Sequence, residues 1–129
     1  MKRRNFSTGT PWENEVGYSR AVRIGPHVIV TGTLAADSDG NMLGGDDAYA
    51  QTVAVIRKIE AVLNEAGAAL TDVVRTRMYV TNLDDAPAIG RAHREFFGDV
   101  RPAATMIEVS RLFTPEALIE IEADAIVAE

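Results

Sequence analysis

Apolar residues at Ala48, Val55, Ile56, Ile59, Val62, Leu63 and Ala66 recur at helical spacing and predict a long helix with one buried stripe. Asp46 or Asp47 supplies its N-cap, and Gly67 occupies the position just past its end. A second helix starts near Asp84 and Asp85, carries Pro87 in its first turn, and buries Ile89, Ala92, His93 and Phe96; Gly98 follows it. Elsewhere the pattern alternates. Residues 18–24 and 27–33 read as two strands joined by the Gly25-Pro26 turn. Residues 72–81 set Val74, Thr76, Met78 and Val80 against Arg75, Arg77 and Tyr79. Two more strands, 103–109 and 117–127, flank a loop around Thr114-Pro115. Residues 5–12 read as a short strand followed by a loop, and residues 37–45 as a turn-rich loop.

The order ββ–α–β–α–ββ predicts an α+β domain: a mixed sheet with two helices on one face. The uncovered face then carries Arg75, Arg77, Glu120, Glu122 and Asp124 together with Leu118, Ile126 and Met106. A face that mixes charge with apolar bulk suits a subunit interface better than bare solvent. Along 103–109, Ala103, Thr105, Ile107 and Val109 are expected to face the core, and Ala104, Met106 and Glu108 the opposite side.

The chain of 129 residues suits a single domain spanning 1–129, and 47% apolar residues suffice for a core. The net charge of −6 weighs against a nucleic-acid partner, because phosphate binding needs a basic footprint. With no cysteine, disulfides and thiolate chemistry are excluded. His27 and His93 lack metal-ligand spacing, so no metal site is expected. No nucleophile elbow or phosphate-cradling glycine loop is present. The basic Lys2-Arg3-Arg4 start has no apolar segment behind it, and no run approaches the length of a membrane helix. A soluble, cytoplasmic protein without a membrane partner is expected.

The stretches "VIVTGTLA", "VVRTRMYVTNLDDAPAIGRAHREFFG", "RPAATMIEV" and "IEIEADAI", in this order, resemble the RidA/YjgF (Rid) superfamily over about Tyr18 to Val127. The resemblance implies a chorismate-mutase-like α+β fold and a homotrimer with ligand pockets in the clefts between subunits. It implies a cofactor-free enzyme, since the best understood branch hydrolyses reactive enamines and imines such as 2-aminoacrylate to a keto acid and ammonia. In that branch a glutamate positions water or relays a proton, and Glu120 matches it. Tyr18 matches a pocket tyrosine and Thr31, beside Gly32, a pocket hydroxyl. Ala104 stands where the branch has the arginine that grips the substrate carboxylate, and Gly90 where it has an asparagine. The implied subgroup lacks that arginine, and its substrate is not that of the archetypal 2-aminoacrylate deaminase.

Several residues carry two readings. Glu120 is either a general acid/base or one more exposed carboxylate in a row with Glu122 and Asp124. Arg20, two residues after Tyr18, either replaces the missing cation or forms an interface salt bridge. Arg101 stands at the mouth of its strand as a candidate ligand contact, and His93 is either a pocket residue or a core histidine. Arg91 reads as surface charge. Trp12 either lids a pocket or staples the N-terminal arm. The favoured function is hydrolysis of a small imine, enamine or related C–N metabolite. The alternative is a non-catalytic metabolite-binding or regulatory trimer; an endoribonuclease or translation inhibitor is weaker still.

Overall fold

The computed structural model describes residues 1–128. The strands are β1 (Arg3–Phe6), β2 (Ala21–Ile24), β3 (His27–Thr33), β4 (Val73–Val80), β5 (Ala103–Glu108) and β6 (Ile119–Ile126). The helices are α1 (Pro11–Val16), α2 (Ala48–Glu65) and α3 (Ala86–Phe97). One six-stranded sheet has the order β1-β2-β3-β6-β4-β5. Among the described residues only β4 and β5 run parallel, and α3 makes the crossover that a parallel pair requires. The expected mixed α+β architecture is therefore present.

Helix α2 begins where Asp47 accepts a hydrogen bond from the Ala50 amide at 3.2 Å. It ends in a Schellman turn: Gly67 is left-handed at φ 82°, and the Ala68 amide reaches back to the Leu63 carbonyl at 2.8 Å. Val55, Ile56, Ile59 and Leu63 are wholly buried, and α2 packs on β3 and β6 through Val28, Val30, Ile121 and Ala123. Burial of each such side chain contributes about 1.5–3 kcal/mol. The amide of Gln51 is buried and fully bonded. It donates to the Gly45 and Glu116 carbonyls and accepts from the Leu118 amide, tying the loops before α2 and before β6 to the core.

Four expectations need correction. Residues 11–16, read as loop, form α1, and β1 begins at Arg3. The missed signal is Thr10-Pro11-Trp12-Glu13, which has proline at the first helical position and an acid three residues after a hydroxyl. Strand β2 starts at Ala21 and β6 at Ile119, each a few residues inside the expected bounds. In β4 a bulge between Val73 and Arg75 turns Val73 to the core and leaves Val74 exposed.

The fourth correction concerns β5. Ala104 and Met106 lie opposite Thr76 and Met78, which are buried under the helices, whereas Ala103 and Thr105 lie opposite Arg75 and Arg77. Directly opposed residues on neighbouring strands share a face. Ala104 and Met106 therefore face the helix side, and Ala103, Thr105 and Ile107 the open side, the reverse of the expectation. The alternation in "AATMIE" has too little hydrophobic contrast to choose between faces. The choice is made by β4.

The open face otherwise matches the expectation, except that Leu118 packs against the core. Ile29, Ile107 and Ile126 are all more than two-fifths exposed there, interspersed with Arg75, Arg77, Glu120, Glu122 and Asp124. Arg77 pairs with Asp124 at 3.3 Å, and the Tyr79 hydroxyl donates to Glu122.

Candidate functional site

A bulge between Val30 and Thr33 interrupts the β3–β6 ladder and places Thr31 and Gly32 opposite the start of β6. Because Gly32 has no side chain, the Glu120 carboxylate settles against it: a Cβ there would lie 2.9 Å from Oε2. Glu120 and Gly32 share a cavity of about 330 Å³ with Tyr79 and Glu122. Val109, Arg111 and Leu112, on the loop after β5, form its other wall. The next residue, Phe113, stacks edge-on against Trp12 of α1 with ring centroids 5.2 Å apart. That contact ties the N-terminal arm to the cavity loop, the staple reading of Trp12.

Burial pushes the Glu120 carboxyl above the ordinary carboxylate range, Glu122 raises it further, and Arg20 opposes both. Among the described residues no side chain hydrogen-bonds to Glu120, whereas Glu122 accepts from Tyr79. The hydrogen bond to Glu122, then burial, lifts the Tyr79 hydroxyl above its ordinary value. The cavity thus contains two carboxylates in different states of satisfaction. Glu120 is the one of the two whose pKa burial raises.

Tyr18 and Thr31 line a second depression of about 320 Å³ with Asn5, Val22 and Ile29. The consecutive residues Thr31 and Gly32 join the two depressions. Arg20 links them as well: it lies over the Tyr18 ring at 5.6 Å and donates to the Gly32 carbonyl at 3.1 Å. Glu120, Gly32, Thr31, Tyr18 and Arg20 are therefore gathered in one region.

The remaining sequence candidates lie apart, across the sheet from β3. His93 is half-buried on α3, bonded through Nε2 to the Thr76 hydroxyl at 2.9 Å and packed against Phe97. Burial lowers its pKa. Within one chain its ring is thus partnered at Nε2 and half-buried on α3. Ala104 is the strand neighbour of that same Thr76, on the helix side. Nothing lies within 4 Å of a Cβ added at Gly90. Arg101 is exposed in a left-handed conformation at φ 56°, its Nε donating to the Gly98 carbonyl at 3.2 Å. Arg91 lies 4.3 Å over the ring of Tyr49 on α2. Within one chain these residues do not meet Glu120.

Three residues of this region were not legible in the sequence. Arg111 and Leu112 sit in an irregular stretch whose periodicity says nothing about direction. Glu13 is buried, 4% exposed, and its carboxylate accepts from the hydroxyls of Ser7, Thr8 and Thr10. Among the described residues no cluster of histidines and carboxylates is arranged to hold a metal, and no helix is long and apolar enough to cross a membrane.

The family model described as Endoribonuclease L-PSP matches residues 10–127. A RutC family protein of Pyrococcus abyssi is 39% identical over 108 residues, covering 84% of each chain. The 3-aminoacrylate deaminase RutC of Acinetobacter baylyi is 36% identical over 104 residues, covering 81% of this chain and 82% of its own. Among solved structures, Rv2704 of Mycobacterium tuberculosis, described as a member of the YjgF/YER057c/UK114 family, superposes with a TM-score of 0.89 at 48% identity, covering 98% of this chain and 100% of that one. The shared sheet and helices and the match over nearly the whole length make this chain a member of the Endoribonuclease L-PSP family, within the Rid/YjgF superfamily.

Proposed function

We propose that the protein is a homotrimer whose inter-subunit clefts bind a small metabolite, and that it hydrolyses an imine, enamine or related C–N bond without a cofactor. The observation that carries this reading is Glu120: a half-buried carboxyl of raised pKa, without a side-chain hydrogen-bond partner among the described residues, facing a small cavity. A carboxyl displaced toward neutrality serves as both acid and base. On an enamine it protonates the carbon to give an iminium. Water adds to the iminium carbon as the carboxylate takes its proton; the carboxyl then protonates the carbinolamine nitrogen, and ammonia leaves as the hydroxyl proton returns to the carboxylate, giving the carbonyl product. The name of the Acinetobacter relative, 3-aminoacrylate deaminase, supports this reaction class.

Assembly supplies the second wall of the cleft. The isoleucines of the open face favour burial against another copy, which would bring the α3–β5 residues of one subunit toward Glu120 of the next. Gly90, Ala104, His93 and Arg101 are then its candidate lining. With Ala104 in the arginine position, the substrate is either free of the usual carboxylate or holds it through Arg20, Arg101 or Arg111.

Ammonia release from 2-aminoacrylate, 3-aminoacrylate and simple imines tests the reaction. Turnover on one of them, abolished by Glu120→Gln, is the expected result; turnover that survives this change rules out Glu120 as acid/base. The binding-module reading is favoured by Ala104 and Gly90, which leave the far wall without a gripping side chain. Tight metabolite binding without turnover would establish it. The net charge of −6 and the paired carboxylates of the cavity oppose an RNA substrate.

A further inference from the structure

The cavity residue Glu120 is joined to a second acidic residue by an unbroken line of contacts. The carboxylate of Glu13 accepts from Ser7 Oγ at 2.5 Å, Thr8 Oγ1 at 2.7 Å, Thr10 Oγ1 at 3.1 Å and the Thr8 amide at 3.4 Å. A carboxylate so served is ordinarily part of a helix cap, yet Thr10 makes no side-chain cap bond to α1. What Glu13 faces instead is Arg20, whose Nε lies 4.0 Å from Oε2. That Nε is buried and makes no hydrogen bond of its own, so Glu13 is its nearest compensation. The other end of the guanidinium donates to the Gly32 carbonyl, on the residue that Glu120 rests against.

We propose that Glu13 is a positioning residue for the Glu120 site: its charge holds the Arg20 guanidinium on the Gly32 carbonyl and offsets the pull of that cation on Glu120. The inference rests on the reading of Glu120 as acid/base. Without Glu13 the cation would act on Glu120 uncompensated, favouring the carboxylate and removing the protonated form that the chemistry uses. The hydroxyls of Ser7, Thr8 and Thr10, with their amide partner, keep Glu13 ionised despite burial: burial raises its pKa, and those hydrogen bonds more than reverse the rise. Other charged or titratable groups face the same network. Lys58 on α2 repels Arg20, and Glu122 of β6, Tyr79 of β4 and Arg111 of the loop before β6 surround Glu120.

The test is a carbon-13 NMR titration of the Glu120 carboxyl in the wild type, Glu13→Gln, Glu13→Asp and Arg20→Gln, each confirmed as folded by circular dichroism. Glu13→Gln is expected to move the Glu120 midpoint to lower pH, Arg20→Gln to higher pH, and Glu13→Asp to leave it near the wild-type value. If Glu13→Gln does not fold, Thr8→Val with Thr10→Val, which weakens the hold on the Glu13 charge, is expected to shift the midpoint in the same direction. A midpoint indifferent to Glu13→Gln, or to the threonine pair in its place, overturns the proposal; so does one indifferent to Arg20→Gln. Turnover by Glu120→Gln decides the reaction separately. A midpoint unmoved in a protein that still needs Glu120 for turnover removes only the positioning role.

Discussion

The carboxylate of Glu120 lies so close to the α-carbon of Gly32 that a Cβ at Gly32 would meet Oε2 at 2.9 Å and Cδ at 3.0 Å. The contact fixes where the one free carboxyl of the cavity points. It also lets a bulged strand position decide where that carboxyl sits.

Gly32→Ala is expected to displace Glu120 without unfolding the protein. Gly32 has no left-handed backbone, and the atom in conflict is the end of a flexible side chain. Turnover should fall by about 10-fold or more, the cost of a displacement near 1 Å in a reacting group, with little change in melting temperature. An alanine variant with wild-type kcat would show that this contact does not orient the reaction.

Glu120→Gln is expected to stabilise the fold while removing activity, by roughly 10²–10⁴-fold in kcat. The sign follows from the raised pKa. Between the unfolded and folded pKa values the native state holds more protons, so its stability falls as pH rises through that window. Glutamine removes this cost. The melting-temperature gain of the variant should therefore be present at neutral pH and vanish at acid pH, as read by calorimetry across the range.

Glu13 has the opposite sign. Its folded pKa lies below the ordinary value, so its contribution is present above the unfolded pKa and is lost as pH falls toward the folded one. Glu13→Ala removes the charged acceptor shared by the Ser7, Thr8 and Thr10 hydroxyls and should cost about 1–3 kcal/mol at neutral pH. Denaturant melts at neutral and acid pH should show the gap between the two proteins closing as the pH drops.

Ala104→Arg is expected to lower the KM for carboxylate-bearing substrates if the cleft forms between copies as proposed. Ala104 is exposed on an edge strand, so the added guanidinium has room and little effect on stability is expected. Comparing KM for a carboxylate substrate and its ester separates charge recognition from general binding.

The open sheet face should carry the subunit contacts. Ile29→Asp places a charge beside Val22 and near Ile126 and is expected to convert the proposed assembly to monomers by light scattering. A wild-type protein that is monomeric at micromolar concentration would remove both the interface and the shared cleft.

The elements legible in the sequence were those whose local signals agree. Helix α2 announces itself by its stripe, Asp47 and Gly67; β3 announces itself by its run of branched residues, and β6 by the strict alternation of Ile and Ala with acidic residues. Helix α1 was lost because its capping signature sits in a stretch rich in turn residues. The site was half legible. Tyr18, Thr31, Gly32 and Glu120 do come together, and Arg20 joins them through the Gly32 carbonyl rather than through a free cleft-facing charge. Glu13 and Arg111 escaped because a carboxylate's burial and a loop arginine's direction depend on neighbours far along the chain.

By itself the sequence determined the period of each main element, the two-helix cover of one sheet face, and the family to which those elements belong. Only the tertiary structure decided which way β5 faces, that a bulge seats Glu120 on Gly32, and that Glu13 and Arg20 share one buried contact. The reason is physical: periodicity is a property of neighbouring residues, whereas register, bulges and charge pairing are set by the strand or side chain lying opposite. For Ala104 that opposite residue is Thr76, twenty-eight positions earlier in the chain.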